Sequence, residues 1–568
     1  MVWRKSQLSN TTPEMDKWSS RANKMYKRWR NPEERGDANV LCHSDEDQDT
    51  DTELCTTASA RFNSGRRESA SRSGFHLTEE TFTVDEALEA IGFGKFQWKI
   101  TFLAGLAWVA YSMEMMIPSI LGPQLHCEWR LPSYKVALTT SVLFLGLGIG
   151  SAPWGKVSDK YGRKVGLTIC MTWALFYGLL RAIAPVYGWL TAIWGFAGFG
   201  IGGAPQTVTL YTEFLTGKSR GTCLVMFQAF WAIGCVLEVL LALLIMPTLG
   251  WRWLLSLSAV PMAVFVCFCH WLPESPHFDM LTGKTEKAMA LLTRIAKENG
   301  KAMPQGKMIT YLQNDRGRVK DLFTPQYWRT TLLLLYIWFA NAFCYYGIGL
   351  LTTELFQTGH SCEPTTGANN ELSCSLECKY LTSADYIDLL LTSMAEFPGI
   401  LVILIAIDRI GRKKTLTLCF VTFSLCFLPL FACIGRTTLT IFIFIARAFS
   451  TGANQSAFIY TTEVFPTENR ALALGICSGL NSMGALITPF VAQVMLGISR
   501  YLTLSIYCGC GLLAGVACLI LPIETLGRGL QNTSLYKEAG EKTITTPSQP
   551  NGTTDSSDQQ RGTKKIKN

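Results

Sequence analysis

The sequence contains two copies of one short motif, Asp159-Lys-Tyr-Gly-Arg-Lys164 and Asp408-Arg-Ile-Gly-Arg-Lys-Lys414, and the second begins 249 residues after the first. Each copy lies between two hydrophobic runs that are long enough to cross a bilayer. Further pairs keep nearly the same offset: Tyr211-Thr-Glu213 matches Tyr460-Thr-Thr-Glu463, and Pro273-Glu-Ser275 matches Pro522-Ile-Glu-Thr525. A repeat of this length corresponds to a whole bundle of helices. The sequence therefore predicts a duplicated membrane protein, of the kind that transports solutes.

Composition places the chain in the membrane class. Of its 568 residues, 48% are hydrophobic and only 17% are charged, and the charges concentrate in the two tails, a middle segment and the motif loops. The formal net charge of +8 indicates a positive-inside bias. No compact basic surface interleaved with aromatic residues is evident, so we expect no nucleic-acid partner.

Twelve hydrophobic segments are long enough to span a bilayer about 30 Å thick. They cover approximately residues 97–121, 136–156, 165–184, 188–212, 222–247, 251–272, 330–351, 386–407, 415–435, 438–460, 471–496 and 501–522. The expected fold is all-α and integral to the membrane, with two pseudo-symmetric six-helix bundles. An even number of spans puts both termini on one side, and the basic loops make that side cytosolic.

These segments divide the chain into five regions. We expect a disordered cytosolic tail over 1–95, the first bundle over 96–272, a cytosolic middle segment over 273–329, the second bundle over 330–522 and a disordered tail over 523–568. The exoplasmic loop of the second bundle covers 352–385. Within the middle segment, apolar residues at helical spacing over 285–297 predict a short amphipathic helix.

Four of the 19 cysteines fall in predicted exoplasmic loops: Cys127, Cys362, Cys374 and Cys378. An even number in an oxidising lumen predicts two disulfides, with three possible pairings. Zinc binding with His126 and His360 is the weaker alternative, because that region has no CxxC pair. We expect no metal and no cofactor.

The motif loops are predicted to form a gate at the cytosolic mouth. A glycine permits the tight turn between antiparallel helices, while the carboxylates and cations can bridge neighbouring helix ends. A plain positive-inside loop would explain the cations but neither the paired aspartates nor the repetition. The predicted gate residues are Asp159, Gly162, Arg163, Lys164, Glu213 and Arg220 in the first half, with Asp408, Gly411, Arg412, Lys413, Glu463 and Arg470 in the second.

The repeated Asp-x-x-Gly-Arg-Lys motif, Arg447-Ala-Phe449, Pro-Glu-Ser and Pro-Ile-Glu-Thr together resemble the major facilitator superfamily, in its sugar and organic-cation transporter branch. Five further stretches resemble one subgroup of that branch from vesicle membranes: Thr81–Ala87, Ile91–Phe96, His126–Arg130, Gly250–Leu254 and Gly484–Phe490. The resemblance covers about residues 80–530. It implies two bundles, a substrate site near the midplane, alternating access and vesicle residence.

The sequence departs from this branch at three charged positions. Tyr111 stands where the first span carries an aspartate, Trp194 where the fourth carries an arginine, and Asn481 where the eleventh carries an arginine. In proton-coupled sugar transporters of the superfamily, the first two form the coupling pair. Their joint loss avoids a stranded buried charge and indicates that the two sites touch.

The ionisable residues identified inside the spans are Glu114, Glu238, Glu396 and Arg447. A charge at membrane depth is costly, so these are candidate substrate or ion sites, although a structural contact within the bundle is the alternative. Tyr345 and Tyr346, with Trp231 and Trp338, are candidates for an aromatic cavity lining, and lipid-facing positions are equally consistent with their sequence.

Two functions remain open at this stage. The first is a secondary transporter of a small organic solute, an organic ion or a sugar-like molecule. The second is a non-transporting vesicle protein of the same fold that binds protein partners through its tails. An enzyme is not expected, because no metal cluster, activated nucleophile or phosphate loop stands out. The Gly198-x-Gly200-x-x-Gly203 pattern lies inside a predicted span, where helix packing explains it better than nucleotide binding.

Overall fold

The computed structural model describes residues 81–217, 219–309, 319–358, 380–432 and 434–526, and these are almost entirely helical. The first half of the chain contains β1 (Thr81–Phe82), α1 (Val84–Ile91), α2 (Lys95–Glu128), α3 (Ser133–Tyr161), α4 (Arg163–Ala182), α5 (Tyr187–Ile201), α6 (Gln206–Thr212), α7 (Arg220–Ile245), α8 (Trp251–Ser258), α9 (Val260–Phe268) and a 3-10 turn at Cys269–Trp271. The middle segment contains α10 (Pro276–Leu281), α11 (Thr285–Asn299), β2 (Lys307–Met308) and α12 (Val319–Leu322).

The second half repeats the pattern of long helices. It contains α13 (Trp328–Thr358), α14 (Ser383–Met394), α15 (Glu396–Ile410), α16 (Arg412–Phe427), a 3-10 turn at Pro429–Phe431, α17 (Arg436–Val464), α18 (Thr467–Pro489), a π-helical turn at Phe490–Met495, α19 (Leu496–Ile498) and α20 (Arg500–Ile520).

Ten of the twelve predicted spans are helices long and apolar enough to cross a membrane, counted over the described ranges. The fourth predicted span is instead two shorter helices, α5 and α6, separated by a turn at 202–205. The tenth, α17, has 29 residues but is less apolar, because Arg447 and several hydroxyl and amide side chains interrupt it.

The two halves contact each other through two matching helix pairs. Helix α3 of the first half packs on α18 of the second, and α7 of the first packs on α14 of the second. Ser141 of α3 donates a hydrogen bond to the carbonyl of Leu486 in α18, at 2.9 Å. This contact lies towards the end of the bundle opposite the motif loops, which we call the distal end; the other is the motif-loop end.

Small residues allow close helix packing in the first half. A Cβ on Gly198 would clash with the Leu143 backbone of α3, and one on Gly200 would lie 2.8 Å from the Ala174 backbone of α4. The glycines of the GxGxxG pattern therefore serve helix packing, as the sequence indicated.

The prediction that residues 1–95 form a disordered tail is wrong for residues 81–95. Thr83 and Glu86 form a capping box that starts α1, and β1 pairs in parallel with β2 of the middle segment. The apolar face of α1, which includes Leu88 and Ile91, is buried, and α1 packs on α11. The amphipathic helix predicted at 285–297 is confirmed as α11. The rest of the predicted N-terminal tail, residues 1–80, and residues 527–568 of the predicted C-terminal tail lie outside the described residues.

Candidate transport pathway

The first motif loop forms a compact charged cluster at the motif-loop end. Gly162 adopts a φ of 115°, a conformation that favours glycine, and this turn joins α3 to α4. Arg163 Nη1 lies 2.5 Å from Asp159 Oδ1, and Arg163 Nε lies 3.2 Å from Glu213 Oε1. The cluster thus joins the α3–α4 turn to the end of the fourth predicted span.

The second loop repeats this arrangement in the second half. Gly411 has a φ of 100°, and Arg412 donates to both carboxylate oxygens of Glu463, at 3.0 and 3.1 Å. Arg412 Nη1 also lies 3.3 Å from Asp408 Oδ1. Two motifs 249 residues apart therefore bring equivalent residues together, which a positive-inside loop alone would not require.

Two further carboxylates complete these clusters, and the candidate gate set did not include them. Glu274 accepts a hydrogen bond from the backbone N–H of Lys164 at 3.1 Å. Glu524 accepts from the N–H of Arg412 at 2.9 Å and of Lys413 at 3.3 Å. Each carboxylate satisfies free N–H groups at a helix start, where negative charge is stabilised by the helix dipole. Their equivalent positions in the two repeats were the sequence signal that could have identified these two carboxylates.

The remaining gate candidates, Arg220 and Arg470, are not ion-paired with the motif glutamates. Arg220 lies 3.8 Å from Asp85 of α1. Burial, followed by repulsion from Arg220, lowers the pKa of Arg470. Arg220 Nε, Arg470 Nε and Nη2, and Glu213 Oε2 are buried atoms without a hydrogen-bond partner within the described structure. Polar groups on both halves are therefore unsatisfied at this end.

A polar chain crosses between the halves in the interior. Trp231 of α7 donates to the Tyr345 hydroxyl at 2.6 Å, and Tyr345 donates to Glu396 at 2.9 Å. Arg447 Nη2 lies 3.3 Å from Glu396 Oε1, and both side chains are buried. Arg447 also contacts Met116 Sδ of the first half, at 3.3 Å. This series of polar contacts places one buried cation, Arg447, and one buried carboxylate, Glu396, at the interface between the halves.

A cavity of about 30 Å³ lies beside this series of polar contacts. Its lining includes Trp231, Tyr345, Tyr346 and Arg447, and the Phe144 ring packs at a tilt against Tyr346 with ring centroids 4.8 Å apart. A cavity of this size accommodates water but not an organic solute. Trp338 does not belong to it: its indole donates to Thr461 Oγ1 at 3.0 Å inside the second half, so its assignment to the lining is wrong.

A second buried charge cluster lies within the first half. Glu114 of α2 forms an ion pair with Arg181 of α4, and the two side chains are 2% and 0% exposed. Glu238 of α7 accepts from Ser258 Oγ at 2.8 Å and interacts electrostatically with both members of the pair. Arg181 was missing from the ionisable residues identified inside the spans. This pair joins the first predicted span to the third.

The substituted aromatic positions lie in different environments. Tyr111 packs against Trp108 and Trp231, with ring centroids 5.2 and 5.0 Å apart. Trp194 instead packs under the Arg181 guanidinium, at 5.7 Å. Tyr111 and Trp194 therefore pack against different partners, and the described residues show no ring contact between them, so the structure does not support the prediction that the two sites touch.

Of the four candidate disulfide cysteines, Cys127 is disulfide-bonded. Cys362, Cys374 and Cys378 lie outside the described residues, so the pairing stays a prediction. We expect mass spectrometry of non-reduced peptides to recover Cys127 linked to one of these three, because a cross-link restricts the loop around 352–385 in the unfolded state. Recovery of a free Cys127 thiol would contradict this prediction.

The helix arrangement and the paired motif loops define a membrane transporter of the major facilitator type. A family model described as "Sugar (and other) transporter" matches residues 88–535, and the chain belongs to this family. In fold it is similar to the xylose transporter XylE from E. coli in a partially occluded inward open conformation, with a TM-score of 0.60, 17% identity, and coverage of 77% of this chain and all of that one.

Two relatives show greater similarity in sequence. The chain is 59% identical to the synaptic vesicle 2-related protein of Bos taurus, over 82% of this chain and 85% of the relative. It is 34% identical to the organic cation/carnitine transporter 7 of Arabidopsis thaliana, over 80% of this chain and 96% of the relative. The vesicle-protein resemblance indicated by stretches such as Gly250–Leu254 is confirmed.

Proposed function

We propose that this chain is a secondary transporter that moves a small organic solute across a vesicle membrane by alternating access, with the motif-loop end and both termini in the cytosol. The observation that carries the proposal is the pair of equivalent charge clusters, one on each half, beside unsatisfied arginines. A rocking motion would bring Arg220 and Arg470 to the glutamates of the opposite half and close this end. The family membership supports transport rather than catalysis as the activity.

The interior sites suggest the class of solute. Trp231, Tyr345 and Tyr346 offer aromatic faces to a cation, and Arg447 lines the cavity beside its ion-pair partner Glu396. An organic ion, including one that carries both charges, therefore fits this lining better than a purely apolar molecule. The name of the Arabidopsis relative is consistent with this class, and the family description, "Sugar (and other) transporter", leaves a sugar-like solute as the second possibility.

The charge balance of the first-half cluster suggests how transport is driven. Glu114 and Glu238 together supply two carboxylates, and Arg181 is the one cation paired with them among the described residues. An excess buried carboxylate is stabilised by binding a proton. We propose that this cluster takes the place of the coupling pair that Tyr111 and Trp194 no longer form.

The experiment that tests this function is uptake by purified protein in liposomes, screened with a panel of labelled organic cations, zwitterions and sugars. We expect uptake of at least one solute and stimulation by an imposed pH gradient. Glu114→Gln should abolish that stimulation, because it leaves one carboxylate for one cation, so that no excess carboxylate remains to bind the proton. Gradient-driven uptake that persists in both Glu114→Gln and Glu238→Gln would contradict the coupling site. A complete absence of uptake, with vesicle proteins still bound through the tails, would instead support the non-transporting alternative.

The gate makes a separate prediction. Removing one aspartate charge should shift the population of the closed state modestly, since Asp159 and Asp408 are 49% and 64% exposed and such pairs contribute less than about 1 kcal/mol. We expect Asp159→Asn and Asp408→Asn each to raise alkylation of a Ser482→Cys reporter about two- to fivefold. Ser482 is suitable because it faces Gly148 across the two halves. Unchanged labelling in both variants would contradict a gating role.

A further inference from the structure

A groove of about 860 Å³ runs along the outer surface of the first half, towards the motif-loop end. Its walls come from α2, α7 and the end of the sixth predicted span, and α11 of the middle segment borders it. The apolar lining includes Ile100, Leu103, Leu106, Phe230 and Phe268. The groove lies outside the transport pathway described above, and its size matches the range of small-molecule pockets.

The rim of this groove carries an unequal number of charges. Glu298 of α11 accepts from Lys99 Nζ of α2 at 2.8 Å and from Arg294 Nε at 3.1 Å. The hydrogen bond from Lys99 is the main cause that lowers the pKa of Glu298, so the carboxylate stays ionised at neutral pH. One carboxylate thus faces two cations. Both cations keep unused N–H donors, and their side chains are 69% and 63% exposed.

Aromatic side chains indicate how deep the rim of the groove lies in the membrane. Trp271 lines the groove, is 68% exposed, and stacks on Phe268 with ring centroids 5.1 Å apart. Exposed tryptophan at a helix end is typical of the boundary between hydrocarbon and headgroups. The apolar part of the groove therefore lies at the level of acyl chains, and Lys99 and Arg294 lie at the level of headgroups.

We propose that this groove binds one anionic phospholipid from the leaflet at the motif-loop end. Its acyl chain lies along Leu103, Leu106 and Phe230, and its phosphate takes the free donors of Lys99 and Arg294. The net positive rim favours an anionic headgroup over a zwitterionic one, because each cation near the membrane surface strengthens binding of anionic lipid. Because α11 belongs to the middle segment, the bound lipid would join that segment to the first half.

The test is native mass spectrometry of the delipidated full chain in detergent, titrated with phosphatidylserine or phosphatidylcholine of identical acyl chains. We expect the first phosphatidylserine to bind about five- to twentyfold more tightly than the first phosphatidylcholine. The double variant Lys99→Gln/Arg294→Gln should lose this preference. The matched control Lys301→Gln/Lys320→Gln removes two exposed cations that do not line the groove, and should retain it.

A second variant tests the groove independently of its charges. Leu106→Trp fills the apolar part and leaves the rim intact, so it should weaken binding of both lipids. Equal binding of the two lipids by the unmodified chain would overturn the proposal. So would an unchanged first-lipid affinity in Leu106→Trp, or an equal loss of preference in the control, since either result would indicate nonspecific association with the basic surface. If the rim variant does not fold, the Leu106→Trp result decides.

Discussion

Replacing Arg181 with Met is expected to lower the free energy of unfolding by about 3–5 kcal/mol. Arg181 and Glu114 are almost completely buried, and the substitution leaves the Glu114 carboxylate without its cation. Glu238 lies close to the same site, so the unpaired charge also meets a second carboxylate. Chemical unfolding in detergent micelles, followed by tryptophan fluorescence, measures the change.

Two further variants separate the ion pair from simple loss of an arginine. The double variant Arg181→Met/Glu114→Gln removes both charges and should recover much of the lost stability, because replacing a whole buried pair is often neutral. Arg329→Met removes an exposed arginine whose guanidinium lies 5.3 Å from the centre of the Trp328 ring, and it should change stability by less than about 1 kcal/mol. A double variant no more stable than Arg181→Met would contradict the account of this cluster.

The sequence predicted the motif-loop geometry well because repetition supplied a second, independent copy of every residue. Gly162 and Gly411 adopt positive φ values, and Arg163 and Arg412 bind the equivalent glutamates, Arg163 through one hydrogen bond and Arg412 through two. The capping role of Glu274 and Glu524 could also have been proposed from their spacing. This role was not predicted because a carboxylate that directly follows a membrane span is usually exposed to water.

The contacts of buried side chains were harder to predict, because they depend on how each helix is rotated about its own axis. Arg181 lies three residues before the predicted end of its span, where an arginine ordinarily extends to the membrane surface. Its side chain instead turns inward to Glu114. Trp338 was misplaced for a related reason: α13 is apolar on every side, so its sequence does not show which face meets the cavity.

The ordered segment before the first span had a readable signal. Thr83 and Glu86 have capping-box spacing, and Val84, Leu88 and Ile91 recur at helical intervals. The polar composition of the whole tail nevertheless led to the prediction of disorder. The contact with α11 also stabilises α1, because an eight-residue helix is only marginally stable without tertiary contacts.

The central claim is that the two halves move relative to each other to transport a solute. Ser141 and Leu486 contact each other across the halves near the distal end, at 2.9 Å between Oγ and the backbone carbonyl oxygen. A direct disulfide needs a close approach of the two Cβ atoms. We therefore join Ser141→Cys to Leu486→Cys with a short, reducible bifunctional methanethiosulfonate cross-linker, which should hold this end closed. As a control, Thr139 and Thr191 lie 3.0 Å apart between their hydroxyl oxygens within the first half, so a Thr139→Cys/Thr191→Cys bridge leaves the halves free to move.

The decisive measurement is solute uptake by both double variants in liposomes, with the cross-linker and again after reduction. For the Ser141→Cys/Leu486→Cys protein, we predict that cross-linking lowers uptake about tenfold or more and that reduction restores it. The Thr139→Cys/Thr191→Cys protein should transport equally well in both conditions, as should the unmodified chain. Undiminished uptake by a fully cross-linked Ser141→Cys/Leu486→Cys protein would contradict alternating access between these two halves.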